Sequence, residues 1–142
     1  MDNLEPFKTS IVATKLYPPA FNKKSITRER LFDYRACEDK RLSIVSIVAA
    51  AGSGKSTTMA EICGRLNEMK FSTAWLSLDL EDNCPSTFVS YLIPALSKLD
   101  PLQDGSDLEW QRDMLVKDIE ALFDILIARI SRIDFPAAIF LD

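Results

Sequence analysis

The eight residues Ala49-Ala50-Ala51-Gly52-Ser53-Gly54-Lys55-Ser56 constrain this chain more than any other stretch. They follow the β-branched apolar run Leu42 to Ala49 and precede Ser56 to Met69, in which Met59, Ile62, Cys63 and Leu66 fall at helical spacing. The order is strand, tight loop, helix. The run is too hydrophobic for a half-exposed strand and reads as a buried parallel one. The loop fits G-x-x-x-x-G-K-[ST] except that Ala49 stands in the place of the first glycine. Such a loop turns the backbone N–H groups of Gly52, Ser53, Gly54, Lys55, Ser56 and Thr57 inward at a helix start. The dipole there favours a di- or triphosphate. Glycine suits the loop because a Cβ would block close approach of the phosphates. Lys55 is expected to bridge the β- and γ-phosphates, and the Ser56 hydroxyl to be one ligand of Mg²⁺. A merely structural turn does not ask for a lysine followed by a hydroxyl, and a cation there opposes the helix dipole.

The rest of the chain extends the pattern. Thr73 to Leu78 reads as a second strand ending at Asp79. Pro85 suits the first turn of a helix carrying Phe88, Leu92, Ala95, Leu96 and Leu99, with Asn83 or Cys84 near its cap. Pro94 predicts a kink inside that helix. After a polar loop, Leu115, Ile119, Leu122, Leu126, Ile130 and Ile133 predict a long amphipathic helix. A short apolar strand, Ala137 to Leu141, then ends on Asp142. Strands alternating with helices imply a parallel sheet of the doubly wound α/β class with right-handed crossovers. Residues 1–40 are polar and irregular, with a short helix expected from Thr27 to Ala36. Residues 41–142 form the α/β unit. A chain stopping at the end of a buried strand reads as a fragment.

Composition narrows the chemistry. The chain has no histidine, so it can supply no Ser-His-Asp triad, His-ligated metal or imidazole base. A net charge of −4 with scattered basic residues gives no footprint for nucleic acid. Three cysteines, Cys37, Cys63 and Cys84, contain no C-x-x-C pair and read as reduced packing thiols. No run reaches the roughly 18 apolar residues of a membrane span, and the start lacks a secretory layout; a cytoplasmic protein is expected.

Asp142 is the second piece of the candidate site. A carboxylate at the end of an apolar strand is what a Walker B strand offers, holding Mg²⁺ at the carboxyl edge of a sheet. Trp75 reads as core and Trp110 as helix surface or interface, although either could stack on a base. Asp79 lies on the ligand edge, where a helix cap is as good a reading. Arg28 and Arg30 could meet an adenine or a phosphate, or form a solvated charge cluster.

Taken together, Thr14-Lys15-Leu16-Tyr17-Pro18-Pro19, Arg28-Glu29-Arg30-Leu31, the loop from Ala49 to Ser56, and Trp75-Leu76-Ser77-Leu78-Asp79 with Asp82-Asn83, Pro85, Phe88 and Tyr91-Leu92 resemble one family. It is the MalT-type branch of the LuxR-family transcriptional regulators, whose ATPase is of the STAND class of P-loop NTPases. The resemblance runs from about Ile11 to Asp142. The family's loop usually reads A-P-A-G-x-G-K-T, so Ala49 fits it, while Ala50 and Ser56 replace its proline and threonine, and Glu29 and Pro94 are atypical. By resemblance, Arg28 matches the arginine near the adenine pocket, Lys55 and Ser56 the phosphate and magnesium residues, and Asp142 the first acid of a Walker B pair. The implied fold is an incomplete P-loop NTPase, a three-layer parallel sheet running from strand, P-loop and helix through the Walker B strand. In that class a further strand lies between the phosphate-loop strand and the Walker B strand, so a gap with exposed apolar faces and unpaired edges is expected here.

The resemblance implies an ATP-binding switch: Mg-ATP binding, self-association in the ATP form, and DNA contact only through a C-terminal domain absent here. Hydrolysis would reset the switch in the longer protein. Two rivals differ in class. A stand-alone P-loop kinase or DNA-processing ATPase needs an Arg-rich lid, and Asp79 to Ile133 holds only Arg112, Arg129 and Arg132. A truncated binder would hold ATP or ADP without hydrolysing it, because the water-positioning carboxylate is missing.

Overall fold

The computed structural model describes residues 12–20, 32, 44–99 and 118–142. Its sheet consists of two short strands, β1 (Ser72–Leu76) and β2 (Ala137–Leu141), paired in parallel with Trp75 opposite Phe140 and Leu76 opposite Leu141. The ladder continues at both ends, where Ser72 N–H donates to the Pro136 carbonyl at 2.9 Å and Asp142 N–H to the Leu76 carbonyl at 3.0 Å. The architecture is α/β, as the alternation of patterns implied.

Alternation along β1 and β2 decides what covers each face. Trp75 and Phe140 point to α1 (Lys55–Glu68), where they join Ala60, Ile62, Cys63 and Leu66 in one cluster, the two rings stacked at 5.5 Å between centroids. Leu76 packs instead with Leu16, Tyr91 and Ala95, so α2 (Pro85–Leu96) and the N-terminal segment cover the opposite side of β1. Behind α2 lies α3 (Ile119–Ile130), joined to it by Val89, Ile93, Leu122 and Leu126. Among the described residues no helix is long and apolar enough to cross a membrane.

Local chemistry explains the boundaries. Pro85 opens α2 at its first position, where the missing N–H would have had no acceptor. Pro94 falls in the last turn. The helix stops two residues later at Leu96, and the chain goes on in turns closed by Ser97 N–H to the Ile93 carbonyl and Leu99 N–H to the Leu96 carbonyl. Asp118 caps α3 by accepting the Ala121 N–H at 3.0 Å. Ile133 lies beyond the end of α3 in a turn, which shortens the predicted helix. The N-terminal segment is more ordered than its polarity suggested, with a 3-10 turn at Ala13–Leu16.

The main correction concerns the run before the loop. Residues 44–50 form no strand, and Ile44 and Val48 are 93% and 89% exposed, so the predicted buried strand is not built. Only Ile47 packs, against the α1 cluster. Hydrophobicity alone does not make a strand: the ladder needs a partner, and no described residue offers one to this run. The outer side of β2 is open as well. Ile139 and Leu141 are exposed although their register partners Ala74 and Leu76 are buried. A gap between two buried strands, expected from the resemblance, is not what the described residues show, because the strand before the loop is not formed; apolar residues of the run and of β2 are exposed instead. The predicted helix from Thr27 to Ala36, Leu115, Trp110, Cys37 and Arg28 lie outside the described residues, apart from Phe32, which packs against the α1 cluster.

Candidate functional site

The loop before α1 owes its shape to its glycines. Gly52 and Gly54 have φ of 75° and 87°, values that L side chains rarely adopt. A Cβ at either would meet no heavy atom within 4 Å. Within the protein itself the requirement is thus conformational, and the space over the loop is open to a ligand. Gly54 caps α1, and its carbonyl accepts the Thr58 N–H at 2.9 Å. The amides of Lys55, Ser56 and Thr57, ahead of the first helical hydrogen bond, have no intrahelical acceptor. The amide of Ser53, counted in the cradle from sequence, instead closes a turn on the Ala50 carbonyl at 3.3 Å.

Lys55 folds back over this loop. Its Nζ donates to the carbonyls of Ala49 at 2.9 Å and Ala50 at 3.0 Å, which stations a cation beside the open space. Ser56 Oγ donates to Asp142 Oδ1 at 2.8 Å. Asp142 can reach because the β1–β2 ladder continues into it: its N–H bonds Leu76, and its carbonyl accepts the Leu78 N–H at 2.6 Å. The structure thus brings together the two sequence-distant pieces, loop and strand end. A hydroxyl and a carboxylate in contact are hard oxygen donors, a set that fits Mg²⁺, which takes few protein ligands and keeps water or phosphate oxygens as the rest.

Other candidates resolve differently. Trp75 is core, stacked on Phe140, with its indole N–H given to Ser77 Oγ at 2.9 Å. Asp79 takes the capping reading. Its Oδ1 accepts the Glu81 N–H at 2.9 Å while Asp82 Oδ2 accepts the Asp79 N–H at 2.7 Å, a reciprocal box on the 3-10 turn Leu80–Asn83. Sequence reasoning assigned no role to Lys15, whose Nζ lies 2.7 Å from Asp79 Oδ2 and 2.8 Å from Asp82 Oδ2, and 4.5 Å from the Tyr91 ring centre. The D-x-x-D spacing after β1 was the available signal for the box, but nothing in the sequence pointed to the lysine.

Charge in this cluster makes stability depend on pH. The hydrogen bond from Lys15, above all, holds the Asp79 carboxyl below its ordinary range. Burial works against the Lys15 ammonium, yet its bonds to Asp79 and Asp82 outweigh that and hold its pKa above the usual value. A lowered carboxylate pKa adds stability that is present above about pH 4 and lost as pH falls through the folded pKa. The stability difference between the wild type and Asp79→Asn in thermal melts should therefore be full at about pH 6 and shrink as pH falls below about 4; a difference that stays constant with pH would contradict this assignment.

Cys84 makes a separate prediction. It precedes α2 exposed, and hydrogen bonds with the Ser86 hydroxyl, then with Thr87, bring its thiol down to about 7. Cys63 is buried, and burial pushes its pKa up. In a Cys37→Ser background, alkylation should occur at Cys84 with a midpoint near pH 7. Cys63 should react only after unfolding, and Ser86→Ala should raise the Cys84 midpoint.

No protein-family model matches the chain, and no solved structure matches it. Curated proteins do. The serine/threonine-protein kinase PknK of Mycobacterium tuberculosis (strain ATCC 25618 / H37Rv) is 33% identical over 89 residues, 63% of this chain and 8% of that protein. The HTH-type transcriptional regulator MalT of Serratia proteamaculans (strain 568) is 34% identical over 87 residues, 61% of this chain and 9% of that protein. The MalT of Cronobacter sakazakii (strain ATCC BAA-894) is 32% identical over 89 residues, covering 62% and 9%. The matched stretches are thus less than a tenth of these relatives. The chain is related in part to MalT regulators and in part to PknK.

Proposed function

We propose that this chain is the ATP-binding switch module of a MalT-like regulator, a partial P-loop NTPase unit that grips Mg-ATP over the loop 49–57. The observation that carries the reading is the Ser56–Asp142 hydrogen bond, which joins a phosphate-type loop to a strand-end carboxylate. Turn sterics explain the glycines but not the meeting of a hydroxyl and an acid from opposite ends of the α/β unit. Likeness to both a kinase and a regulator, each over a small share of its length, favours a shared module over either whole activity.

In this reading the amides of Lys55, Ser56 and Thr57 take phosphate oxygens and Lys55 exchanges the Ala49 and Ala50 carbonyls for the phosphates. Ser56 and Asp142 would hold Mg²⁺, which supplies charge neutralisation at the β- and γ-phosphates. Arg28 is assigned to the adenine side by resemblance. Asp142 is the one carboxylate the described residues bring to Ser56, and positioning of an attacking water calls for another group; the chain on its own is therefore assigned binding without efficient hydrolysis. Self-association in the ATP form and DNA contact through a separate domain complete the switch in a longer protein.

Isothermal titration of the full chain with Mg-ATP, Mg-ADP and AMP tests this. Binding of ATP and ADP but not AMP is expected, because the loop and Lys55 grip phosphates beyond the first. Equal binding of AMP would overturn the phosphate-grip assignment, and phosphate release above a Lys55→Ala background would overturn binding without hydrolysis.

A further inference from the structure

Lys15 touches the end of β1 in two ways. Its ammonium holds Asp79 and Asp82, and its carbonyl accepts the Ser77 N–H at 2.8 Å. The next residue, Leu78, donates its N–H to the Asp142 carbonyl, and Asp142 N–H returns to Leu76. Residues 76 to 79 are therefore gripped from the N-terminal turn on one side and carry the Asp142 backbone on the other. From Asp142 the line continues through its carboxylate to Ser56.

The ionic part of this grip is not a surface pair of negligible weight. The Lys15 and Asp82 side chains are 14% and 3% exposed. The second oxygen of Asp82, Oδ1, is buried with no hydrogen-bond partner among the described residues. Its carboxylate thus depends on the ammonium, and removing that leaves a buried, uncompensated charge. Lys98 adds to the clamp by donating to the Leu16 carbonyl at 2.6 Å, with its Nζ 3.4 Å from the centre of the Tyr17 ring.

We propose that Lys15 is a positioning residue for the magnesium carboxylate: by clamping the N-terminal turn to the end of β1 it holds Asp142 within reach of Ser56. The inference rests on the nucleotide reading above. It separates two parts of binding. The phosphate grip belongs to the loop and Lys55, which Lys15 does not touch. The gain in affinity that Mg²⁺ brings belongs to Ser56 and Asp142, which Lys15 holds in register.

The test measures ATP affinity of the full chain with Mg²⁺ and with EDTA. Lys15→Met alone strands the Asp82 charge and endangers folding, so the decisive variant is Lys15→Met with Asp82→Asn, which removes both charges while the amide oxygen still accepts the Asp79 N–H. Groups that orient a metal ligand typically change metal affinity ten- to hundredfold, so the ratio of affinities with and without Mg²⁺ should fall by about tenfold. The EDTA affinity should stay unchanged, and Lys15→Arg should keep most of the ratio. A folded double variant with the wild-type ratio, or an equal loss in both conditions, overturns the positioning role. A wild type that binds ATP in neither condition overturns the nucleotide reading itself, a distinct result.

Discussion

Replacing Lys55 with alanine should weaken Mg-ATP binding by roughly ten- to hundredfold, the equivalent of about 1.5 to 3 kcal/mol for charge-assisted hydrogen bonds to phosphate. The same variant should melt within about 0.5 kcal/mol of the wild type, as surface substitutions usually do. The reason is in the geometry. Lys55 Nζ donates to the Ala49 and Ala50 carbonyls, which water can replace, and it caps no helix and fills no core. A phosphate has no such substitute, because the loop carries its cation at this position alone. Titration calorimetry alongside thermal melts checks both halves. Unchanged affinity would remove Lys55 from the site, and a large loss of stability would show that its bonds to the loop are structural.

Trp75→Ala should have the largest effect on stability, a loss of about 3 to 5 kcal/mol by comparison with other buried aromatic truncations. Trp75 is 2% exposed, stacks on Phe140 across the β1–β2 ladder and packs on the inner side of α1. Deleting the indole opens a cavity where the sheet and the loop-bearing helix meet. Domains have only about 5 to 15 kcal/mol of stability in total, so this one substitution should remove a large share of it and shift the unfolding midpoint well below that of the wild type. Urea denaturation followed by circular dichroism reads the shift, and Trp75→Phe should recover part of it by keeping a stacked ring. A variant with the wild-type midpoint but reduced ATP affinity would instead mean that Trp75 meets the base.

What could be read in advance follows a physical division. The turn of the loop was legible because Gly52 and Gly54 are required by their positive φ, and the Gly-Lys-Ser spacing that follows is the pattern on which the proposed phosphate site rests. Pro85 announced the start of α2 because, within a helix, a missing N–H is harmless only in the first turn. The strand at Ala137–Leu141 and its terminal acid were legible as composition, and their meeting with Ser56 followed once the loop was recognised. The run from Ile44 to Val48 misled, because its β-branched residues state a preference for strand while the ladder partner is a matter of the whole sheet. Ile133 misled more mildly, since helical spacing continues past the point where α3 unwinds into a turn. Lys15 was invisible for a further reason: its partners lie more than sixty residues away, Asp82 at a separation of 67, and a lone lysine beside a Tyr-Pro-Pro stretch carries no local pattern.

The central claim is that a triphosphate sits over the loop and against the start of α1. Backbone amide NMR of the full chain titrated with Mg-ATP tests it most directly. The expected result is that the largest shifts fall on Gly52, Gly54, Lys55, Ser56 and Thr57 and on Asp142, with Lys55→Ala suppressing them. Shifts centred elsewhere, or none at saturating nucleotide, would contradict the assignment of this loop as the phosphate site.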